Sequence, residues 1–123
     1  MPPYHYKGTG TELVRYLEDL LSTDEEVKGI FDISFEIDMI ARSLINTGKE
    51  YDVSLVGFDL SEAAAKHLND HSLDAIVHQD MESQGYLAVK TLYQMLMEDY
   101  IPENDALLTR LQIVFANNLE YVI

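Results

Sequence analysis

Three sets of residues with hydrogen-bonding or aromatic side chains stand directly after short apolar runs. They are Ser34 and Phe35 after Ile30-Phe31-Asp32-Ile33, Asp59 after Val53-Ser54-Leu55-Val56-Gly57-Phe58, and His78, Gln79 and Asp80 after Ala75-Ile76-Val77. If each run is a strand of an open parallel sheet, its carboxyl end is where ligands bind. Carboxylate, amide, hydroxyl and ring at such ends can hold a small polyhydroxylated molecule in a preformed pocket. A second role competes at each point, because the first residue past a strand often caps the next helix. Asp59 has Glu62 three residues on, the spacing of a capping box, and Ser34 precedes a helical stripe, so cap and ligand contact are both compatible with these positions. Gln79 is harder to read as a cap, since Gln caps poorly and Asp80 follows it.

Other chemistries lack their residues. His67 and His71 have the i, i+4 spacing of a metal pair, but no third ligand lies at a diagnostic distance and a solvated helix end is expected there. No Gly-x-Gly-x-x-Gly, Gly-Lys-Ser/Thr or Gly-x-Ser-x-Gly motif occurs, and Cys is absent, which excludes thiol nucleophiles, disulfides and Cys-ligated metals. Neither catalysis, nor a metal, nor a cofactor is expected. The charge excludes more: 8 Lys plus Arg against 22 Asp plus Glu give −14, which opposes nucleic acid and anionic membranes. No signal peptide and no membrane span is expected, because the longest apolar stretches are about six residues.

The elements that must position these residues follow from periodicity. Leu13, Val14, Leu17, Leu20 and Leu21 predict a helix over about 10–22, opened by a Thr9–Glu12 capping box. A strand over 28–33 is followed by a helix carrying Ile37, Ile40, Ala41, Leu44 and Ile45 and stopped by Gly48 at C′. Strand 53–58, helix 60–68, strand 74–78 and helix 83–99 repeat the unit, Tyr86, Tyr93 and Tyr100 forming a packing stripe on the last. Ile101 to Asp105 breaks the pattern, residues 111–115 and 119–122 read as extended, and Tyr4-His5-Tyr6 could add a strand. With 47% hydrophobic residues over 123 positions the chain can bury one core. Alternating short strands and longer helices define an α/β fold, a three-layer, doubly wound, mostly parallel sheet in a single lobe.

In order and spacing, Lys28-Gly29-Ile30-Phe31, Ala41-Arg42-Ser43-Leu44, Tyr51-Asp52-Val53-Ser54-Leu55-Val56-Gly57-Phe58-Asp59 and Ala75-Ile76-Val77-His78-Gln79-Asp80 with Gly85 and Ala88 resemble one known pattern. It is the C-terminal lobe of the effector-binding core of lac-repressor-type transcription regulators, a fold shared with periplasmic sugar-binding proteins. The resemblance covers roughly residues 8–122. It implies that Asp59 and Gln79 reach into an effector cleft, and that Ser34 and Phe35 stand where the family often has Asn-Asp, an altered contact. It also implies a cytoplasmic homodimer sensing a sugar-like molecule, with DNA contacted only through a basic head outside this chain. Residues 81–123 would include segments that cross to a missing N-terminal lobe, leaving the helix over 83–99 with an apolar face and favouring self-association. A solute-binding lobe is the alternative. A phosphoryl receiver, with Asp59 as acceptor, would need an acidic pair after the first strand and a Lys after the last, which the sequence does not provide.

Overall fold

The computed structural model describes residues 7, 10–23 and 26–122. Helix α1, Gly10–Thr23, buries Leu13, Leu17 and Leu21, one residue per turn on a single stripe. The hydroxyls of Ser22 and Thr23 donate back to the carbonyls of Glu18 and Asp19 at 2.6 and 2.8 Å in its last turn. Strand β1, Gly29–Phe31, is followed by α2, Ile37–Thr47, which buries Ile37, Ile40, Ala41, Ser43 and Leu44. Gly48 ends α2 in the left-handed conformation, φ 65°, as the sequence predicts, and its N–H donates to the carbonyl of Ile45 at 3.1 Å.

Strand β2, Ser54–Phe58, alternates outward and inward, burying Leu55 and Gly57. Helix α3, Glu62–Asn69, strand β3, Ala75–Gln79, helix α4, Met81–Met97, and strand β4, Leu111–Val114, complete the α/β order. The sheet runs β1-β2-β3-β4, with β1, β2 and β3 parallel: Phe31 lies opposite Val56, and Phe58 opposite Val77. Helix α1 packs on α2 and α2 on α3, over a core whose fully buried members include Leu44, Leu55, Leu68, Leu73, Ile76 and Val114. The closest approach is at Gly57, where a Cβ would stand 2.6 Å from Ile76 Cδ1 and 2.9 Å from Ile37 Cδ1. Only glycine lets the first turn of α2 lie so near the outer half of β2.

The chain divides into two compact units, residues 1–77 with 113–123, and residues 78–112. The second consists mainly of α4 and the segment after it, and α4 has no buried residue.

Several expectations are corrected. Residues 119–122 are not extended: 119–121 end a 3-10 helix, Ala116–Tyr121, and Val122 is its C-cap, while Asn118 Oδ1 accepts from the N–H of Phe115 at 2.7 Å and so favours a tight turn over a strand. Tyr86, Tyr93 and Tyr100 are exposed rather than packed, and Lys90 Nζ lies 5.7 Å from the Tyr86 ring centre. Thr9 and Tyr4-His5-Tyr6 lie outside the described residues. No helix among those described is long and apolar enough to cross a membrane.

Candidate functional site

The parallel register places Asp32 and Asp59 each one residue beyond its strand, at the carboxyl ends of β1 and β2. The Asp32 N–H donates to the Val56 carbonyl at 2.8 Å and the Asp59 N–H to the Val77 carbonyl at 2.9 Å, so both backbones are pinned to the sheet ladder. Both carboxylates are buried, each 5% exposed.

Neither Asp59 nor Ser34 caps a helix. The N-cap of α3 is Ser61, whose hydroxyl oxygen accepts from the Ala64 N–H at 3.1 Å, while Asp59 sits two residues earlier in a left-handed conformation, φ 64°. The N-cap role that the Asp59–Glu62 spacing suggests falls to Ser61, and Asp59 takes a positive φ that is uncommon for a non-glycine residue. Ser34 is likewise displaced, because Glu36 occupies the N-cap of α2 without a side-chain bond. The Ser34 N–H and hydroxyl both donate to Asp32 Oδ1, at 2.8 and 2.5 Å. This clamp throws Phe35 into the left-handed region, φ 65°, with its ring 74% exposed.

Gln79 is the last residue of β3, and its Oε1 accepts from Gln84 Nε2 at 3.0 Å, which also donates to Thr109 Oγ1 at 3.1 Å. Asp80 is the cap of α4 that the sequence predicts: its two oxygens accept from the N–H and hydroxyl of Ser83 at 2.9 and 2.6 Å. Those bonds, the hydroxyl's first, hold the Asp80 carboxyl below the usual carboxylate range. Gln79 is thus not the cap, as its poor capping propensity implies.

Two features escaped the sequence. Asp32 carries no motif, yet it organises the β1–α2 turn, and its Oδ2 is buried with no hydrogen-bond partner among the described residues. His67 is not at a solvated helix end: its Nε2 lies 2.9 Å from Asp38 Oδ1 and its Nδ1 2.7 Å from Ser72 Oγ. The Asp38 carboxylate can only accept, so Nε2 carries a proton. Serine, histidine and aspartate here match the residue types of a hydrolytic triad, but Nδ1 faces the serine and Nε2 the aspartate, the reverse of the order a triad uses. The chain instead ties α3 to α2, where Asp38 also pairs with Arg42 Nε at 2.9 Å. Hydrogen bonding to His67, then the Arg42 pair, lowers the Asp38 pKa.

A groove of about 900 Å³ runs within the second unit between α4 and residues 101–111, walled mainly by Leu87, Leu92, Met95, Ile101, Leu107 and Leu111. Such walls suit apolar contact. The strand ends, with a carboxylate and an aromatic ring, suit a small polar ligand.

A family of periplasmic binding protein domains matches residues 4–99, and the chain belongs to it. A chain from Bacteroides fragilis described as a LacI transcriptional regulator is similar in structure, with a TM-score of 0.77 and 24% identity over 88% of this chain and 37% of that one. GanP, a glucose-galactose binding protein from Geobacillus stearothermophilus, has a TM-score of 0.78 and 19% identity, covering 86% of this chain and 38% of its own. An ABC transporter solute-binding protein from Agrobacterium vitis with bound D-fucose has 0.76 and 23%, covering 87% and 37%. No curated protein matches the sequence. The chain therefore spans well under half the length of these solved relatives, and what they share with it is the α/β lobe fold.

Proposed function

We propose that the chain is the sugar-sensing lobe of a bacterial transcription regulator, a binding module and not an enzyme, with Asp59, Gln79, Ser34 and Phe35 as its ligand contacts. The observation that carries this reading is Asp59: a buried carboxylate in a left-handed conformation at a strand's carboxyl end, with helix capping performed by Ser61 instead. A carboxylate there accepts hydrogen bonds from paired sugar hydroxyls, each contributing about 1.5–3 kcal/mol. The regulator is favoured by the spacing of Val-Ser-Leu-Val-Gly-Phe-Asp to His-Gln-Asp; the solute-binding relatives favour a transporter lobe as the second reading. In the regulator the protein works in the cytoplasm as a homodimer. It reaches DNA through a separate basic head, since a net charge of −14 bars these residues from doing so.

The test is an amide NMR titration of the chain with millimolar D-glucose, D-galactose, D-fucose and D-arabinose. At least one sugar is expected to shift the Asp59 and Gln79 resonances, and Asp59→Asn should weaken that sugar roughly tenfold or more. Absence of any sugar-dependent shift at Asp59 refutes the reading.

A further inference from the structure

Helix α2 begins without a side-chain cap, since Glu36 makes no capping bond, and its first turn is fastened instead through Asp38, its second residue. The fastening is His67, whose Nε2–H donates to Asp38 Oδ1 at 2.9 Å while Nδ1 lies 2.7 Å from Ser72 Oγ. The same residue reaches a second arm of the site, because its carbonyl accepts the N–H groups of Ser72 and Leu73, at 3.0 and 3.1 Å, on the path into β3. His67 and Ser72 are each 6% exposed. Apolar side chains of similar volume would join two helices at least as well, so what an imidazole adds here is the ability to take up a proton. The Ser72 hydroxyl suits both states of the ring. It donates to Nδ1 when the ring is neutral; when Nδ1 is protonated it accepts, its own proton turning to the His67 carbonyl, 3.5 Å from Oγ. Among the charged groups around the ring, α2 presents Asp38, with Arg42 bonded to the other carboxylate oxygen. The 3-10 helix carries one, Glu120, which is exposed, and β2 and β3 carry none besides the imidazole of His78. On and just after α3, Glu62, Lys66, Asp70 and His71 are all exposed.

We propose that His67 is a positioning residue that makes the strand-end site responsive to protons. Uptake of a proton from solvent at Nδ1 converts its bond with Asp38 into an ion pair, draws the first turn of α2 onto α3, and so sets the β1–α2 turn that holds Ser34 and Phe35. The effect on a ligand rests on the sugar-binding reading; the coupling of ring to turn does not. An imidazolium adds Coulomb attraction to the hydrogen bond, and with His67 buried that attraction is screened less than at an open surface. Ile37, between the turn and Asp38, is 4% exposed and closely packed against Gly57 of β2. The turn therefore has no slack, and a pull on Asp38 passes to residues 32–36 rather than being absorbed. A turn held more firmly is better prepared for a ligand, so affinity rises as pH falls.

The test follows the His67 ring and the backbone amides of Ser34 and Phe35 by NMR from about pH 8 to about pH 5, the range in which imidazoles take up protons. Alongside, the Asp59 amide reads the affinity of the tightest-bound of D-glucose, D-galactose, D-fucose and D-arabinose. Asp38 stays ionised throughout, because the hydrogen bond from His67, then the Arg42 pair, holds its carboxyl below the ordinary value. In the parent the two amides should shift with the midpoint of the His67 ring, and the sugar should bind about fivefold more tightly at the acid end. His67→Gln keeps an N–H donor for Asp38 and cannot take up a proton, so it should flatten both responses although the imidazoles of His71 and His78 remain. Should it fail to fold, Asp38→Asn, which keeps an acceptor oxygen for Nε2–H but no charge, should flatten them equally. Parent amides that ignore the His67 midpoint, or a sugar affinity that is the same at both ends, overturn the proposal. If none of the four sugars moves the Asp59 amide at any pH, the sugar-binding reading falls, and the Ser34 and Phe35 amides alone decide whether the ring sets the turn.

Discussion

At Asp59 and Ser61, two residues two positions apart divide roles that the sequence alone could have given to either. Asp59 has the partner spacing of a cap, but its φ of 64° belongs to a sharp turn, and the following two residues bring Ser61 into line with Ala64. The pair makes a clean contrast. Ser61→Ala should cost about 1 kcal/mol in urea unfolding and leave sugar-induced shifts unchanged. Asp59→Asn keeps a residue type that tolerates the left-handed region, so it should alter stability by less than Ser61→Ala does, yet lose most of the sugar response. Equal stability losses in the two variants would return Asp59 to a structural role. Gln79 was legible as a non-cap because Gln competes poorly with the Asp80 beside it. Asp32 was not legible: nothing in Phe31-Asp32-Ile33-Ser34 says that the aspartate turns back to clamp its neighbour.

Among the elements, what repeats locally could be read and what is joined across the chain could not. Leu13, Leu17 and Leu21 announce α1 at helical spacing, and Gly48 announces the end of α2 by its conformation. The bond that joins α3 to α2 links His67 to Asp38 across 29 positions and leaves no periodic trace. It does leave a pH signature. The Asp38 carboxyl is held below its ordinary value of 3.8, mainly by His67, so its contribution to stability is present above that pH and is lost as pH falls through the lower folded value. Urea midpoints measured below pH 4 should therefore fall less steeply in His67→Gln than in the parent; identical slopes would show that His67 does not stabilise the carboxylate. The contact of α2 with β2 is tested at Gly57, where alanine would push Ile37 and Ile76 apart. Gly57→Ala should cost about 1–3 kcal/mol and shift the amides of the 32–36 turn, because Ile37 begins the helix that closes it.

For the whole chain, the charge of −14 and the apolar face of α4 pull association in opposite directions. Leu92, Leu96 and Met97 are all more than half exposed on that helix. Light scattering of the parent at micromolar concentration should give about twice the chain mass of 14.0 kDa, more completely at high salt where the negative charges are screened. Leu92→Glu should return it to the single-chain mass without lowering the melting temperature, and a parent that stays at 14.0 kDa at every salt concentration would refute the homodimer. The unburied α4 has a further consequence, for time rather than space. A 17-residue helix with no buried residue is held by its own backbone bonds, the Asp80 cap and the bonds of Gln84 to Gln79 and Thr109, and a helix of that length is marginal in water. In the single-chain Leu92→Glu variant its amide protons should exchange with deuterium through local opening, orders of magnitude sooner than those of Leu55 and Ile76 in the core, which wait for global unfolding. A ligand or partner that settles on α4 would then be visible first as a slowing of that clock.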